Sequence, residues 1–345
     1  MIRFNGWMVA ALALAIATTA ITAPTSAADK VVIAQPSEGF LYLPVYVARA
    51  KGYFKDEGIE LDVQVFNGGA PAMAAVISGD VHIYTGLPST TIKAFAKSQP
   101  VIIWAAMMDQ VGSNFVIQGD VAKRLNLTDK TPIEDRLKAL KGLTIGINGP
   151  GSSLDQLIRY FVRNAGMNPD KDLTITPLGA EGAAMVAAFG QKRVDGFLFS
   201  SPTSDLAMKR HGGHMLINLA KGEYPPLDKF LYVTFNSRED WLAKNPEVAT
   251  RVARALWKGE KLMRDNPAEA ASAVRTFFPK MDQETFDLAW EGTRSAVPAT
   301  PVLTRKQIEQ ALKFLADTEG SVPAIDIDKV FTTAYVDAAG KGMVK

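Results

Sequence analysis

The segment from Gln35 to Pro88 constrains this chain most, because it repeats one unit: an apolar strand, a Gly/Ser/Pro loop and a short helix. Strand Val31–Gln35 runs into Pro36-Ser37-Glu38-Gly39-Phe40 and a helix beginning near Pro44. Strand Leu61–Phe66 runs into Asn67-Gly68-Gly69-Ala70-Pro71 and helix Ala72–Ile77. Strand Val81–Tyr84 runs into Thr85-Gly86-Leu87-Pro88 and helix Ser89–Lys97. Apolar strands alternating with helices predict a mainly parallel sheet covered on both faces. Ligands of such sheets bind beyond the carboxyl ends of the strands, so the three loops should converge on one site.

The unit recurs further on. Strand Leu143–Ile147 meets Asn148-Gly149-Pro150-Gly151-Ser152-Ser153 and helix Leu154–Asn164, which Gly166 stops as a left-handed cap. Leu173–Thr176 leads into Gly179-Ala180-Glu181 and helix Gly182–Phe189, and Val194–Phe199 into Ser200-Ser201-Pro202 and helix Thr203–Lys209. Two similar α/β lobes follow, with crossings at Asp109–Ser113 and at Leu231–Asn236. The predicted limits are 28–112 with 235–345 for the first lobe and 113–234 for the second. The helical remainder after Asn236 has no sheet of its own and is expected to pack on the first lobe, with a frayed end from Ala338.

Residues 1–27 read as a cleaved secretory signal peptide: Arg3, an apolar run Trp7–Ile21, then small residues at Thr25 and Ala27. The run is shorter than the roughly 20 residues a membrane span needs. The chain has no cysteine, which removes disulfides, thiolate chemistry and a lipid-modified N-terminal cysteine. A soluble, unanchored periplasmic protein is the expectation. A net charge of +2 leaves no electrostatic footprint for nucleic acid.

Gly149-Pro150-Gly151-Ser152-Ser153 is the strongest candidate loop. A helix N-terminus presents unpaired N–H groups to an anion, glycines let a ligand approach the backbone, and the two hydroxyls add donors. Ser152 with Asp155 also resembles a capping box, so capping and binding stay open for different hydroxyls. Glu181 either meets a ligand amine or hydroxyl or caps helix Gly182–Phe189. His211-Gly212-Gly213-His214 reads as a solvated turn rather than a metal site, His82 as a hydrogen-bonded core histidine, and Arg136–Lys141 as a solvated face. No catalytic motif can be placed, and no metal or cofactor is expected.

The run Pro44 … Ala48-Arg49-Ala50-Lys51-Gly52-Tyr53-Phe54-Lys55-Asp56-Glu57-Gly58-Ile59 resembles ABC-transporter substrate-binding proteins of the nitrate/sulfonate/taurine-binding type. Asn67–Pro71, Ser78-Gly79-Asp80-Val81 and Leu143–Ile147 carry the same resemblance. It implies the two-lobed type II periplasmic-binding-protein fold and delivery of a small molecule to an inner-membrane permease driven by a cytoplasmic ATPase. It places Gly69, Ala70, Thr85, Gly86, Ser200 and Ser201 at the cleft and makes Phe40 and Tyr42 an aromatic wall. Thiamine-pyrimidine synthases look similar, but they need a cysteine cluster that this chain lacks.

The candidate loops contain no Arg or Lys, so an anion there would be held by amides, hydroxyls and helix dipoles. With aromatic surface nearby, the expected ligand is a small organic anion, a sulfonate or carboxylate, bound by a monomeric, non-enzymatic protein. The alternatives are nitrate, bicarbonate or a pyrimidine, or a cleft enzyme or receptor-docking sensor on the same fold.

Overall fold

The computed structural model describes residues 27–321, 324–341 and 343; the expected leader lies outside the described residues except for Ala27. The first lobe lays down β1 (Asp29–Gln35), a 3-10 turn (Phe40–Tyr42), α1 (Leu43–Ala50), α2 (Tyr53–Asp56) and β2 (Ile59–Val65). It continues through α3 (Gly69–Ser78), β3 (Ile83–Gly86), α4 (Pro88–Ala96) and β4 (Val101–Met108). The chain then crosses to β5 (Ser113–Gln118), α5 (Gly119–Arg124), α6 (Ile133–Lys138), β6 (Thr144–Ile147) and α7 (Ser153–Asn164). The second lobe closes with β7 (Thr174–Pro177), α8 (Gly182–Gly190), β8 (Gly196–Ser200), α9 (Thr203–His211) and β9 (Gly213–Ile217). After the return come β10 (Val233–Arg238), α10 (Glu239–Lys244), α11 (Pro246–Asp265), α12 (Pro267–Arg275), α13 (Gln283–Thr293), α14 (Arg305–Glu319) and α15 (Ala334–Gly340).

Two five-stranded sheets result, ordered β2-β1-β3-β10-β4 and β7-β6-β8-β5-β9. In the first, β1 lies parallel to β2 and β3, and β10 runs antiparallel between β3 and β4. In the second, β6 lies parallel to β7 and β8, and β5 runs antiparallel between β8 and β9. Each sheet is thus mostly parallel with one reversed strand, and that strand is the one that has just crossed from the other lobe. Helices cover both faces, so a strand such as β4 (VIIWAAMM) is buried along its whole length, as its unbroken apolar run requires.

Several expectations are corrected. The predicted boundary between 234 and 235 falls inside β10, which pairs with the first sheet from Val233 onward. His211 ends α9 and His214 lies in β9, a sheet-edge strand that the two glycines disguised as a turn. Arg136 is buried, donating to the carbonyls of Thr131, Asp129 and Leu216 and to Glu223, rather than standing on a solvated face. Helix α15 continues past Ala338 to Gly340.

The helical tail does not pack on the first lobe alone. The Phe314 ring of α14 lies 4.8 Å from Tyr160 of α7 and 5.1 Å from Phe230 at the second crossing, while Glu319 pairs with Lys93 of α4 at 2.7 Å. Helix α13 spans both lobes as well. Phe286 meets Phe40 at 5.5 Å, and Glu284 pairs with Lys209 of α9 at 2.6 Å. His82 is hydrogen-bonded as expected, its Nδ1 accepting the Val32 N–H at 2.9 Å and its ring stacked on Trp241, but it is half-buried rather than in the core.

Candidate functional site

The carboxyl ends of β1 and β3 in one lobe face those of β6 and β8 in the other across a single seam. The glycine loops meet there backbone to backbone. A Cβ placed on Gly68 would lie 3.9 Å from the Gly149 Cα, and one on Gly149 would press to 3.2 Å from the Asn67 carbonyl oxygen. The Gly149 position is too tight for a side chain to enter easily, while Gly68 is favoured by its φ of +102°. A Cβ on Gly69, the first residue of α3, would lie 3.7 Å from the Ser152 Cα. Elsewhere along the seam Phe40 N–H donates to the Ser201 carbonyl at 3.0 Å. Ser89 Oγ of α4 donates to Gln156 Oε1 of α7 at 2.7 Å, and Gln156 Nε2 donates to Thr90 Oγ1 at 3.0 Å and to the Gly151 carbonyl at 3.2 Å.

Three tyrosines gather at this seam. Tyr42 lies 3.4 Å through its hydroxyl from Ser37 Oγ, Tyr84 bonds to Thr90, and Tyr232 lies 2.9 Å from Ser113 Oγ and bonds to Ser153. All three are buried, and burial raises their phenol pKa values above the ordinary one, Tyr232 to about 12. They are therefore neutral hydrogen-bonding groups at any physiological pH. Gln35 Oε1 and Ser200 Oγ, each on a residue 1% exposed, have no hydrogen-bond partner among the described residues. A buried polar atom left in this way costs free energy that a ligand group can recover.

The expected site residues divide into several groups. Tyr42, Gly69, Ser153 and Ser200 lie at the seam as described above. Ser152 is the N-cap of α7, accepting the Asp155 N–H at 3.2 Å, while Asp155 accepts the Gly151 N–H at 2.7 Å, so the capping reading holds for this hydroxyl. Gly151 is exposed, with φ +70° in the left-handed region, and Ala70 is exposed beside it. Ser201 uses its hydroxyl on Asp205 and its carbonyl on Phe40. Thr85 Oγ1 donates to the Ala34 carbonyl at 2.9 Å, which ties β3 to β1. Gly86 lies under the Tyr84 ring, which any Cβ would strike, and its carbonyl accepts Thr234 Oγ1 at 3.0 Å.

Two residues sit differently from expectation. Phe40 is wholly buried against Phe278 at 4.8 Å and Phe286, so it packs into the core where the tail crosses rather than walling the cleft. Glu181 is exposed and makes no side-chain cap on α8. Sequence reasoning missed Gln35, Ser89, Gln156 and Tyr232. The first ends a strand it had treated as apolar. The next two sit in the first turns of α4 and α7, where helical spacing does not tell which turn faces another lobe. Tyr232 lay inside a stretch read only as a crossing.

Two surface cavities open onto the seam. One of about 570 Å³ is lined by Ala70, Thr90, Lys97, Gly151, Gln156 and Arg163 among others. The second, of about 420 Å³, includes Glu38, Gly39, Gly182, Pro202, Thr203 and Phe278. Among the described residues no cluster of three or more His, Asp or Glu is arranged to hold a metal, and no helix is long and apolar enough to cross a membrane.

The comparisons agree with this architecture. A putative binding protein of Bacillus subtilis, YtlA, is 24% identical over 301 residues, which is 85% of this chain and 84% of that one. The alkanesulfonate-binding protein SsuA of Xanthomonas axonopodis pv. citri, solved with MOPS bound, superposes with a TM-score of 0.68 at 15% identity, covering 88% of this chain and 98% of that one. The periplasmic nitrate-binding protein NrtA of Synechocystis PCC 6803 superposes at 0.67 with 16% identity over 93% of this chain and 90% of that one. The resemblance read from the Pro44–Ile59 run and the glycine loops is thus borne out at the level of family and fold. The NMT1-like family model matches residues 40–277, more than half of the chain, and the protein belongs to that family.

Proposed function

We propose that this protein is the solute-binding component of an ABC importer, working in the periplasm, and that its interlobe seam captures a small organic anion. The carrying observation is the meeting of three helix N-termini, those of α3, α4 and α7, at one place. Two of them, α3 and α4, have no side-chain cap. Helix N-termini carry partial positive charge and unpaired N–H groups, so their convergence favours a negative group between them. The hydroxyls of Ser153, Ser200, Tyr42 and Tyr232 add neutral donors, and the tyrosine rings offer apolar surface for a carbon body.

The names of the neighbours, one for an alkanesulfonate and one for nitrate, support anion capture. The aromatic surface favours the organic anion, since nitrate gains nothing from it. An enzyme on this fold would need acid–base groups at the seam. Of the acids near the seam, Asp155 is already committed, to the Gly151 N–H and to Arg159 at 2.9 Å, Asp205 bonds to Ser201, and Glu38 is exposed at the rim of the second cavity. A permease and a cytoplasmic ATPase are the partners this reading requires.

A thermal-shift panel of sulfonates, carboxylates, nitrate and pyrimidines tests it. At least one organic anion should raise the melting temperature progressively with concentration, because it binds the folded state alone. Stabilisation by a pyrimidine and by no anion would overturn the reading.

A further inference from the structure

Gln156 ties the lobes together through two hydrogen bonds. Its carbonyl oxygen takes the Ser89 proton at 2.7 Å, and its two amide protons go to Thr90 Oγ1 at 3.0 Å and the Gly151 carbonyl at 3.2 Å. The Gly151 carbonyl can only accept, which fixes the amide orientation with Nε2 toward it. Ser89 and Thr90 stand in the first turn of α4 in one lobe, and Gln156 in the first turn of α7 in the other. Ser89 is fully buried and Gln156 nearly so, so water does not readily replace the bond between them. A serine hydroxyl has one proton to give. While Gln156 Oε1 holds it, that proton is not free for an anion at the N-terminus of α4.

We infer that Gln156 is a positioning residue with two coupled effects: it latches the lobes shut, and its side-chain carbonyl competes with the ligand's anionic group for the Ser89 hydroxyl. Ligand entry then requires the latch to break, and the affinity measured is lowered by the fraction of molecules that are latched. The competition rests on the anion reading above; the latch does not.

Small-angle scattering of the ligand-free protein tests the latch. Gln156→Ala and Ser89→Ala should each raise the radius of gyration, and the double variant should open no further than Gln156→Ala, because the bond that Ser89→Ala removes is already gone when Gln156 is Ala. Gln156→Leu, which keeps the side-chain volume, should open the protein as Gln156→Ala does. Unchanged radii in folded variants, or additive opening, would overturn the latch. Titration of Gln156→Ala with an organic anion that the wild type binds should show affinity raised about tenfold, the scale of one or two net hydrogen bonds. Weaker binding would mean that Gln156 serves the ligand and would overturn the competition. Failure of wild type and variant alike to bind any anion would sink the anion reading, while scattering still decides the latch.

Discussion

Ser152 lends its hydroxyl oxygen to the Asp155 N–H at 3.2 Å, whereas its neighbour Ser153 offers its hydroxyl to Tyr232. Adjacent serines thus divide between holding the helix end and facing the seam. Replacing Ser152 with Ala should cost about 1 kcal/mol of stability in urea unfolding, the usual loss of an N-cap. Ser153→Ala should cost less than that, because Tyr232 keeps its bond to Ser113, yet weaken anion binding. Equal stability losses in the two variants, with equal binding, would remove the division. Sequence singled out Ser152, Ser153 and the glycines, because short polar and Gly residues at a strand-to-helix junction serve either capping or binding. It did not show which hydroxyl does what, because that depends on Tyr232, which is 79 positions away and arrives only when the second crossing brings it back.

Helix α11 carries a feature that the helical pattern alone does not reveal. Glu260 is buried on its inner face, and neither carboxyl oxygen has a hydrogen-bond partner among the described residues. Burial, reinforced by Asp109 at the first crossing and only opposed by Arg264, raises its pKa well above the ordinary 4.5. The folded state therefore keeps a proton that the unfolded chain releases above about pH 4.5. Stability must then fall as pH rises from there toward the folded pKa. Glu260→Gln cannot ionise, so its stability relative to wild type should improve as pH rises above about 4.5 in denaturant titrations. A constant difference across that range would show that Glu260 is ionised in the fold.

At this scale the alternating strands and amphipathic helices were readable, since burial on one or both faces imprints a period on the chain. Strand β9 was not, because its His and Gly residues carry no apolar alternation. The bridging role of α14 was hidden too, since Phe314 looks like any core position until Tyr160 and Phe230 are seen on its two sides.

Over the whole molecule, two mostly parallel sheets exchange one reversed strand each, and every loop of consequence leaves a strand's carboxyl end at the seam between them. The repeated strand–loop–helix unit was enough to predict that arrangement, and the glycines were enough to locate the loops. Much of what the glycines do is let one lobe's backbone press against the other's, as Gly68 and Gly149 show; on the proposed reading, ligand contact falls more to hydroxyls and amides such as Ser153, Tyr232 and Ser200. The central claim is that these neutral donors and three helix N-termini hold a negative charge. Calorimetric titration of an organic sulfonate or carboxylate against its uncharged isostere, a sulfonamide or carboxamide on the same carbon body, tests it most directly. The account predicts that the anion binds at least about tenfold tighter, the scale of a charge-assisted hydrogen bond over a neutral one. An uncharged isostere that binds as tightly or tighter would contradict it.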